Sequence, residues 1–362
     1  MFTSCWDINE KNDPNNDYSV NINSNNYLPL SSIEDDNLEK TIIPGLSNFE
    51  GNCYLNSIMQ CFYYCNDLTK YFMEHEKEIK DKKGKLSNEY LNLIIKLNKK
   101  EKYNDAKIFL NTLKEVSYNF IKKGGNDPKA VLLYFLQNLH NELKEENKNY
   151  KEEDICCEDI DKEKAFEICK NNEEYNKSII TELFNLCIIT KNKCDKCGNK
   201  HYMCEYKNHL LIELNKYESK EKIVNLDDLI KFSFEDSIRN FICNTSNEVF
   251  KAKFKKRIIS FPQYLIIILN RKNIKFNVKY NNIIDISEYY INKEDKKVFK
   301  YKFVGACLTN DFENRECTHA ISRCITSDGY YIFNDLFTYK NNYYIKGYNP
   351  YILFYKKYDN YI

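Results

Sequence analysis

Two spacings of hydrophobic residues divide this chain into parts with different local structure. Between Cys53 and Leu143, apolar residues recur every three to four positions, which is the period of an amphipathic α-helix. The clearest helical runs are 53–63, 86–97, 106–121 and the run that follows Pro128. A basic stretch at 77–85 separates the first two runs. We therefore predict a mainly helical region here.

After Ser178 the pattern changes to that of β-strands. The stretch 179–189 has a strand-like pattern, and 210–214 alternates apolar with polar residues. The stretch 258–269 ends in a continuous apolar run, which is typical of a strand buried on both faces. Tyr, Phe and Ile dominate 301–355. This part of the chain is predicted to form sheets.

Two polar segments follow neither pattern. Residues 1–41 are rich in Asn, Asp and Ser with scattered apolar positions, which predicts a flexible N-terminal segment. Residues 144–176 are dense in Glu, Lys and Asp, and we interpret them as an exposed, partly helical insertion. The folded domain is expected to begin near Ile42.

Composition narrows the class of protein without identifying it. The chain has 362 residues and 43% hydrophobic content, which is enough to bury a full core. It carries 54 basic and 53 acidic residues, so nothing in its charge favours nucleic-acid binding. No apolar run is long enough to span a bilayer, and no signal peptide is recognisable. The 15 cysteines are therefore expected to be reduced thiols in cytosol or nucleus.

Cys53 lies where a turn meets a helix. Gly45 and Gly51 precede it, and the apolar period places Cys53 in the first helical turn. Unpaired backbone N–H groups and the positive end of the helix dipole favour a thiolate there, which is the nucleophilic form of cysteine. The alternative is a buried structural cysteine, since cysteine is among the most buried residue types.

A nucleophilic thiol needs a base, and the chain has five histidines. His319 begins the first of two short predicted strands that are joined by a turn before Gly329. Asn334 and Asp335 follow at the end of the second strand. His140 lies on an apolar helix face, where a structural histidine is the simpler interpretation. His319 is therefore the candidate base.

These segments resemble the cysteine and histidine boxes of the ubiquitin-specific proteases, papain-like enzymes that cleave after the C-terminal glycine of ubiquitin. The resemblance rests on Gly45-Leu-Ser-Asn48, Cys53-Tyr-Leu-Asn-Ser57, Gln60, His319 and Gly329-Tyr-Tyr-Ile-Phe-Asn334. It implies Cys53 as the nucleophile, His319 as its base and Asn334 as the residue that orients the imidazole. Asp335 is the adjacent alternative, or a support for the oxyanion. Asn48 would supply an oxyanion donor.

A third motif lies between the two boxes. Asp127 and Pro128 precede a helical run that resembles the family's aspartate-containing helix. By itself, Asp127 before a proline predicts an N-cap with proline at the first helical position. In the family this acidic helix start faces the basic C-terminal tail of ubiquitin, which implies that Asp127 binds substrate. Ala130 stands where the family has a further acid.

The chain departs from the family pattern beside both boxes. Glu50 and Asn52 replace the glycine and threonine that usually precede the nucleophile, and Gly51 is shifted by one position. The residues on either side of His319 also differ from the family's glycine and tyrosine. These differences leave open a protein that binds ubiquitin without cleaving it.

Cys194-Asp-Lys-Cys197-Gly has the spacing of one half of a zinc ribbon. The best candidate for the second half keeps a single cysteine, Cys243. The candidates for the fourth ligand are His201, Cys204 and His209. Two interpretations remain open: a structural zinc site, or a ribbon held by packing without metal. The resemblance implies no cofactor for catalysis.

The resemblance covers about 42–356 and implies an α+β, papain-like fold. Its expected parts are a helical thumb at about 42–143, the charged insertion at 144–176, β fingers at 178–257 and a β-sheet palm at 258–362. The implied partners are ubiquitin and ubiquitinated proteins, with no nucleic acid and no membrane. The alternatives are an inactive ubiquitin-binding protein, a protease for a ubiquitin-like modifier and a zinc-ribbon interaction protein.

Overall fold

The structure is a computed structural model that describes most of the chain from residue 43 onward. The described residues are 43–49, 51–100, 106–116, 127–145, 164, 166–167, 170–171, 177–194, 196–198, 200–243, 248–271, 274, 276–292, 297–310, 319–341 and 345–358. The predicted flexible segment 1–41 lies outside them, as does most of the predicted insertion 144–176. By its contacts, Ile42–Ile362 forms one unit.

The first part of this unit is helical, as the apolar period predicted. Its helices are α1 (Cys53–Tyr63), α2 (Asn66–Glu74), α3 (Glu76–Asp81), α4 (Lys85–Asn98), α5 (Lys107–Val116) and α6 (Pro128–Leu143). Aromatic rings join them. The ring centres of Phe62 and Tyr90 each lie 4.8 Å from that of Phe135, and the ring centre of Phe72 lies 4.9 Å from that of Tyr90. Tilted and edge-on ring pairs at these distances add about 0.5–1.5 kcal/mol each beyond their burial. Helix α3 lies in the basic stretch that was expected only to separate helices.

The second part contains most of the strands. They are β1 (Leu186–Lys193), β2 (Lys200–Lys207), β3 (Leu210–Glu213), β4 (Ile223–Asn225), β5 (Ser237–Cys243), β6 (Glu248–Ser260), β7 (Tyr264–Asn270), β8 (Asn277–Lys279), β9 (Ile283–Asp285), β10 (Lys300–Asn310), β11 (Ala320–Thr326), β12 (Gly329–Asn334), β13 (Phe337–Lys340) and β14 (Tyr348–Lys357). Two short helices, α7 (Ile179–Phe184) and α8 (Leu226–Ser233), lie before β1 and after β4.

Among the described residues the strands form two main sheets. The larger has eight strands in the order β13-β12-β11-β10-β14-β7-β3, with β9 beside β10. All its pairs are antiparallel except β3 with β7. Strand β7 is buried along nearly its whole length, as its apolar run predicted. The smaller sheet has the order β2-β1-β6-β5, and we call it the finger sheet.

The strand pattern predicted from residue 179 onward is wrong for its first six residues, which form α7. A capping box explains the difference: the Thr181 N–H donates to Ser178 Oγ at 3.2 Å, and the Ser178 N–H donates to Thr181 Oγ1 at 2.9 Å. The segment 178–257, which was expected to form the fingers, contributes strands to both of these sheets, and its strand β4 pairs with β8 in a separate two-stranded sheet. Strand β3 joins the larger sheet, because Leu210 and Ile212 pack into that sheet's core.

Helix α1 lies between the other helices and the larger sheet. It contacts α6 on one side and β10, β11 and β12 on the other. Every residue from Cys53 to Phe62 is therefore buried, whereas the apolar period predicted a single buried face. None of the described helices is long and apolar enough to cross a membrane.

Candidate active site

The turn before α1 holds Cys53 at the first residue of the helix. Gly51 has a φ of +80°, a left-handed conformation that glycine adopts without steric cost. The Asn52 N–H donates to Asn48 Oδ1 at 2.9 Å, and the Phe49 N–H donates to Asn52 Oδ1 at 2.7 Å. Cys53 is buried, with 5% of its surface exposed. The nucleophile candidate thus lies where the sequence predicted, on a turn fixed by hydrogen bonds.

His319 directly precedes β11, and its ring contacts Asn334 at the end of β12. The distance from His319 Nε2 to Asn334 Oδ1 is 2.7 Å. An amide oxygen only accepts, so Nε2 carries the hydrogen, and in the neutral ring Nδ1 keeps the lone pair. Asn310 aligns the histidine backbone, because its Oδ1 accepts from the His319 N–H at 2.9 Å. The ring is thereby oriented with Nδ1 as its basic nitrogen.

Asp335 contacts the loop before α1, and no described contact joins its carboxylate to the imidazole. Its Oδ2 accepts from Asn48 Nδ2 at 2.9 Å, and its Oδ1 accepts from Asn56 Nδ2 at 2.8 Å. Its backbone oxygen accepts from the Leu46 N–H at 3.0 Å. Asp335 has a φ of +55°, a left-handed conformation that aspartate tolerates better than most residues. Of the two interpretations of Asp335, these contacts favour support of Asn48, the candidate oxyanion donor.

Gly45 shows how closely this loop approaches the turn between β12 and β13. A Cβ atom at Gly45 would lie 2.5 Å from the Asp335 oxygen and 2.6 Å from the Leu336 oxygen. Both are backbone atoms, so the neighbouring chain could not move aside easily. Only glycine allows the loop to rest on the turn that carries Asn334 and Asp335.

Asp127, at the start of α6, contacts the larger sheet at β14, whereas Asn334 lies at the end of β12, on the opposite side of β11. Asp127 caps α6 as predicted, accepting from the Lys129 N–H at 2.9 Å. The Tyr351 hydroxyl on β14 donates to the same carboxylate oxygen at 2.7 Å. In sheet order β14 and β11 are separated only by β10, so Asp127 is anchored near the row of strands that carries the histidine.

His140 is a structural histidine, in agreement with the sequence interpretation. Its Nδ1 lies 2.8 Å from Ser178 Oγ, the N-cap of α7. Burial, and secondarily the nearby Lys144, lower the pKa of His140. The ring therefore connects α6 to α7 in its neutral form at pH 7.

Among the described residues, the metal-site candidates predicted from the cysteine spacing do not form a ligand group. Cys194 is buried and Cys197 exposed, on a turn in which the Gly198 N–H donates to the Cys194 carbonyl at 2.9 Å. Cys243 ends β5, opposite Glu248, and its side chain lies outside the described residues. Within the part of the chain that the structure describes, no three His, Cys, Asp or Glu side chains form a group that could hold a metal. The zinc interpretation therefore has no support.

The three candidates for a fourth ligand have other surroundings. The His201 ring lies 5.0 Å from the Phe241 ring of β5, so an aromatic contact joins β2 to β5. Cys204 packs in a small apolar cluster with Cys187. His209 Nδ1 lies 2.8 Å from Asn208 Oδ1. Burial, followed by Lys207 and Lys129, lowers the pKa of His209 to about 4.

Three residues of the site were missed by the sequence reasoning: Asn56, Asn310 and Tyr351. Asn56 had a detectable signal, because Asn48, Asn52 and Asn56 recur every four residues and continue as a polar line into a helix that is otherwise mainly apolar. Asn310 and Tyr351 had no such signal. Their roles depend on the pairing of β10 with β11 and β14, which residue spacing does not reveal.

A helix that begins at a cysteine and packs on a sheet that carries a histidine and its asparagine is the arrangement of papain-like α+β proteins, as the resemblance implied. The family model described as "Ubiquitin carboxyl-terminal hydrolase" matches residues 44–355. The chain belongs to the ubiquitin carboxyl-terminal hydrolase family.

Curated relatives agree with this assignment. The chain is 25% identical over 282 residues to "Ubiquitin carboxyl-terminal hydrolase Usp2" of Drosophila melanogaster, covering 75% of this chain and 29% of the relative. It is 25% identical over 254 residues to "Probable ubiquitin carboxyl-terminal hydrolase 4" of Schizosaccharomyces pombe, covering 64% and 42%. The chain thus spans less than half the length of either relative.

Solved structures show the same fold. A chain of the "SAGA DUB module" Ubp8/Sgf11/Sus1/Sgf73 bound to monoubiquitin has a TM-score of 0.67 at 14% identity, covering 87% of this chain and 69% of that one. A chain of the same module bound to ubiquitin aldehyde also has a TM-score of 0.67, at 16% identity, covering 87% and 70%.

Proposed function

We propose that this protein is a deubiquitinating thiol protease, which hydrolyses the peptide or isopeptide bond after the C-terminal glycine of ubiquitin. The observation that carries the proposal is the 2.7 Å contact between His319 Nε2 and Asn334 Oδ1, in a family member whose Cys53 begins a buried helix. The similar SAGA DUB module is bound to monoubiquitin in one structure and to ubiquitin aldehyde in another, which supports ubiquitin as the ligand.

The proposed reaction is acyl transfer through a thioester. His319 Nδ1 takes the proton of the Cys53 thiol, and the thiolate attacks the carbonyl carbon of the last glycine. The Asn48 amide and the Cys53 backbone N–H donate to the oxyanion that forms. His319 then gives its proton to the leaving amine. In the second half-reaction water loses a proton to His319, attacks the thioester and releases the carboxylate and the thiol.

Asn334 and Asp335 have separate roles in this proposal. Asn334 keeps Nε2–H engaged, so Nδ1 is the nitrogen that accepts a proton and later returns it. Asp335 binds the amide of Asn48 and thereby acts on the oxyanion side. Asp127, fixed by Tyr351, is the proposed contact for the basic ubiquitin tail. A cysteine nucleophile also requires a reducing compartment, so we propose the cytosol or nucleus as its location.

The test is intact-mass measurement after the full chain is mixed with a ubiquitin that carries a C-terminal electrophile. We expect one covalent ubiquitin on the wild type and none on Cys53→Ala. Cys197→Ala is the matched control: Cys197 is the exposed cysteine among those that the structure describes, and this variant should keep the adduct.

Other outcomes would replace the proposal. Ubiquitin binding without an adduct would indicate an inactive ubiquitin-binding protein. An adduct only with an electrophile made from a ubiquitin-like modifier would indicate a protease for that modifier. The exposed Ala130, at the position where the family has an acid, is the observation that favours this second substrate.

A further inference from the structure

Four residues beside the candidate nucleophile form a closed circuit of hydrogen bonds, which we call the asparagine ring; it runs through four side chains and the Asn52 backbone N–H. The Asn52 backbone N–H donates to Asn48 Oδ1 at 2.9 Å, and Asn52 Nδ2 donates to Asn56 Oδ1 at 3.2 Å. Asn56 Nδ2 donates to Asp335 Oδ1 at 2.8 Å. Asp335 Oδ2 accepts from Asn48 Nδ2 at 2.9 Å, and this contact closes the ring.

Burial makes two members of the ring rigid. Asn52 is 1% and Asn56 is 2% exposed, so their polar atoms are shielded from solvent and depend on partners within the protein. A fully satisfied buried network also specifies one geometry, because any rearrangement leaves a donor or acceptor unpaired. Asn48, in contrast, is exposed and can be reached by a ligand. The ring therefore connects an accessible amide to a fixed interior.

Asn56 also binds the loop that carries Asn48. Its Nδ2 lies 3.1 Å from the Ser47 carbonyl and 3.3 Å from the Leu46 carbonyl. The backbone just before Asn48 and the carboxylate that holds the Asn48 side chain thus share one donor group. Displacement of Asn56 would release both supports of Asn48 together.

The ring determines the direction of the Asn48 amide. An amide nitrogen carries two hydrogens, so Asp335 can hold one while the second remains for a ligand. A fixed donor needs no reorganisation when negative charge forms on the substrate, and this is the source of oxyanion stabilisation. His319, by comparison, is oriented by Asn334 outside the ring.

We propose that Asn52 and Asn56 are positioning residues that hold Asn48 in place as the oxyanion donor. This inference rests on the proposed function. Asn52 is also a residue by which the chain departs from the family pattern, which usually has threonine there. A threonine has a single hydroxyl, so it could not accept from the Phe49 N–H through one atom and donate to Asn56 through another.

The first test compares turnover of a ubiquitin substrate with binding of ubiquitin aldehyde and of unmodified ubiquitin. The aldehyde forms a tetrahedral adduct with a thiol and so probes the oxyanion donor, whereas unmodified ubiquitin does not. For Asn56→Ala we expect kcat and aldehyde affinity to fall about 10- to 100-fold, since small misplacements of catalytic groups have effects of this size. The Kd of unmodified ubiquitin should change less than about twofold, because ground-state binding does not use the donor.

Asn56→Asp separates a donor role from a space-filling role. Aspartate has the size of asparagine but lacks the Nδ2 donor, and it would place a second carboxylate beside Asp335. The ring predicts a loss at least as large as that of Asn56→Ala. Recovery of kcat by the aspartate would overturn the proposal. Asn52→Thr is the milder variant, with an expected loss of about three- to tenfold in kcat.

A double-mutant cycle tests whether Asn56 acts through Asn48. In an Asn48→Ala background, Asn56→Ala should lower kcat by less than about threefold further, because the donor to be positioned is already absent. Two losses that multiply in full would contradict the inference. The matched control is Ser57→Ala: Ser57 is equally buried on α1 but bonds to the Tyr54 carbonyl and to Cys307 Sγ. It should keep the wild-type kcat.

The outcomes also separate this inference from the proposed function. A wild type without adduct or turnover contradicts both. An active wild type whose Asn56 variants keep full kcat and aldehyde affinity contradicts only the role of the ring. Thermal unfolding of each variant shows whether it is folded. If Asn56→Ala does not fold, Asn52→Thr provides the kinetic test.

Discussion

The candidate active site and the finger sheet hold distant segments together by different kinds of contact. At the active site, polar side chains connect the loop before α1 to the turn after β12, and Asn48 contacts Asp335 across 287 positions of sequence. In the finger sheet, β2 and β5 occupy opposite edges, and the contact described between them is aromatic, His201 with Phe241.

The difference reflects what each region must control. Hydrogen bonds are directional, so they can aim a particular N–H or lone pair, which catalysis requires. Ring contacts are less directional and mainly exclude water, which is enough to keep two hairpins together. Between β5 and β6, the ring centre of Phe254 lies 6.0 Å from that of Phe241, and the Arg239 guanidinium lies 4.7 Å from the centre of the Phe254 ring. Aromatic and cation–π contacts therefore connect β5 to β6 in this sheet.

The largest effect is expected on kcat, from a substitution in the candidate active site that leaves stability unchanged. His319→Ala removes the proposed base from a half-buried position at the start of β11. We expect kcat to fall about 10³-fold, equivalent to about 4 kcal/mol in the activation barrier. Steady-state kinetics on a ubiquitin substrate measures the loss, and calorimetry should show a midpoint close to that of the wild type.

His140→Ala is the control for His319→Ala, because it removes a histidine whose contact is structural. His140→Ala breaks the contact with Ser178 Oγ and should lower the unfolding temperature while leaving kcat near the wild-type value. Equal losses of kcat in both variants would mean that His319 is no more than a structural residue, and the contrast between the two regions would fail.

In the finger sheet we expect a substitution to lower stability while leaving kcat nearly unchanged. Phe254 on β6 is buried, and Phe254→Ala leaves the Phe241 and Arg239 contacts unfilled. We expect a loss of about 2 kcal/mol in the free energy of unfolding, less than in a deep core because the neighbouring strand β5 is largely exposed. At saturating substrate kcat should stay within about twofold of the wild type. A tenfold drop in kcat would show that the two regions are coupled.

The parts of the structure that could be predicted from sequence are those governed by local patterns. The start of α1 at Cys53 follows from apolar spacing, and the cap of α6 at Asp127 follows from the aspartate-proline pair. The short strands around His319 and Asn334 follow from their turn and aromatic runs. Each of these signals lies within about ten residues, where side-chain period and turn chemistry determine the outcome.

The parts that were not predicted depend on contacts across the fold. The resemblance implied Asn334 as the histidine's partner but left Asp335 between two roles. That Asp335 turns toward Asn48 depends on its left-handed backbone, which no spacing reveals. Strand β3 was assigned to the fingers because four apolar-polar residues do not specify which sheet they join. Helix α7 was missed for a different reason: its Ser178 and Thr181 capping signal is local, but it was outweighed by β-branched residues that also favour a strand.

The smallest effect is expected at the turn that carries Cys194 and Cys197. If no metal is bound there, changing Cys197 should leave stability almost unchanged. Cys197 is exposed, and no metal-holding group includes it among the described residues. Cys197→Ser should therefore change the free energy of unfolding by no more than about 0.5 kcal/mol, and a strong chelator should leave the unfolding midpoint unchanged. A structural zinc would behave differently, because metal binding contributes on the order of 10 kcal/mol to the folding of small zinc domains. A drop in the unfolding midpoint on adding the chelator, absent in Cys197→Ser, would show that the finger sheet holds a metal at this turn. Directional bonds would then organise both regions of the molecule.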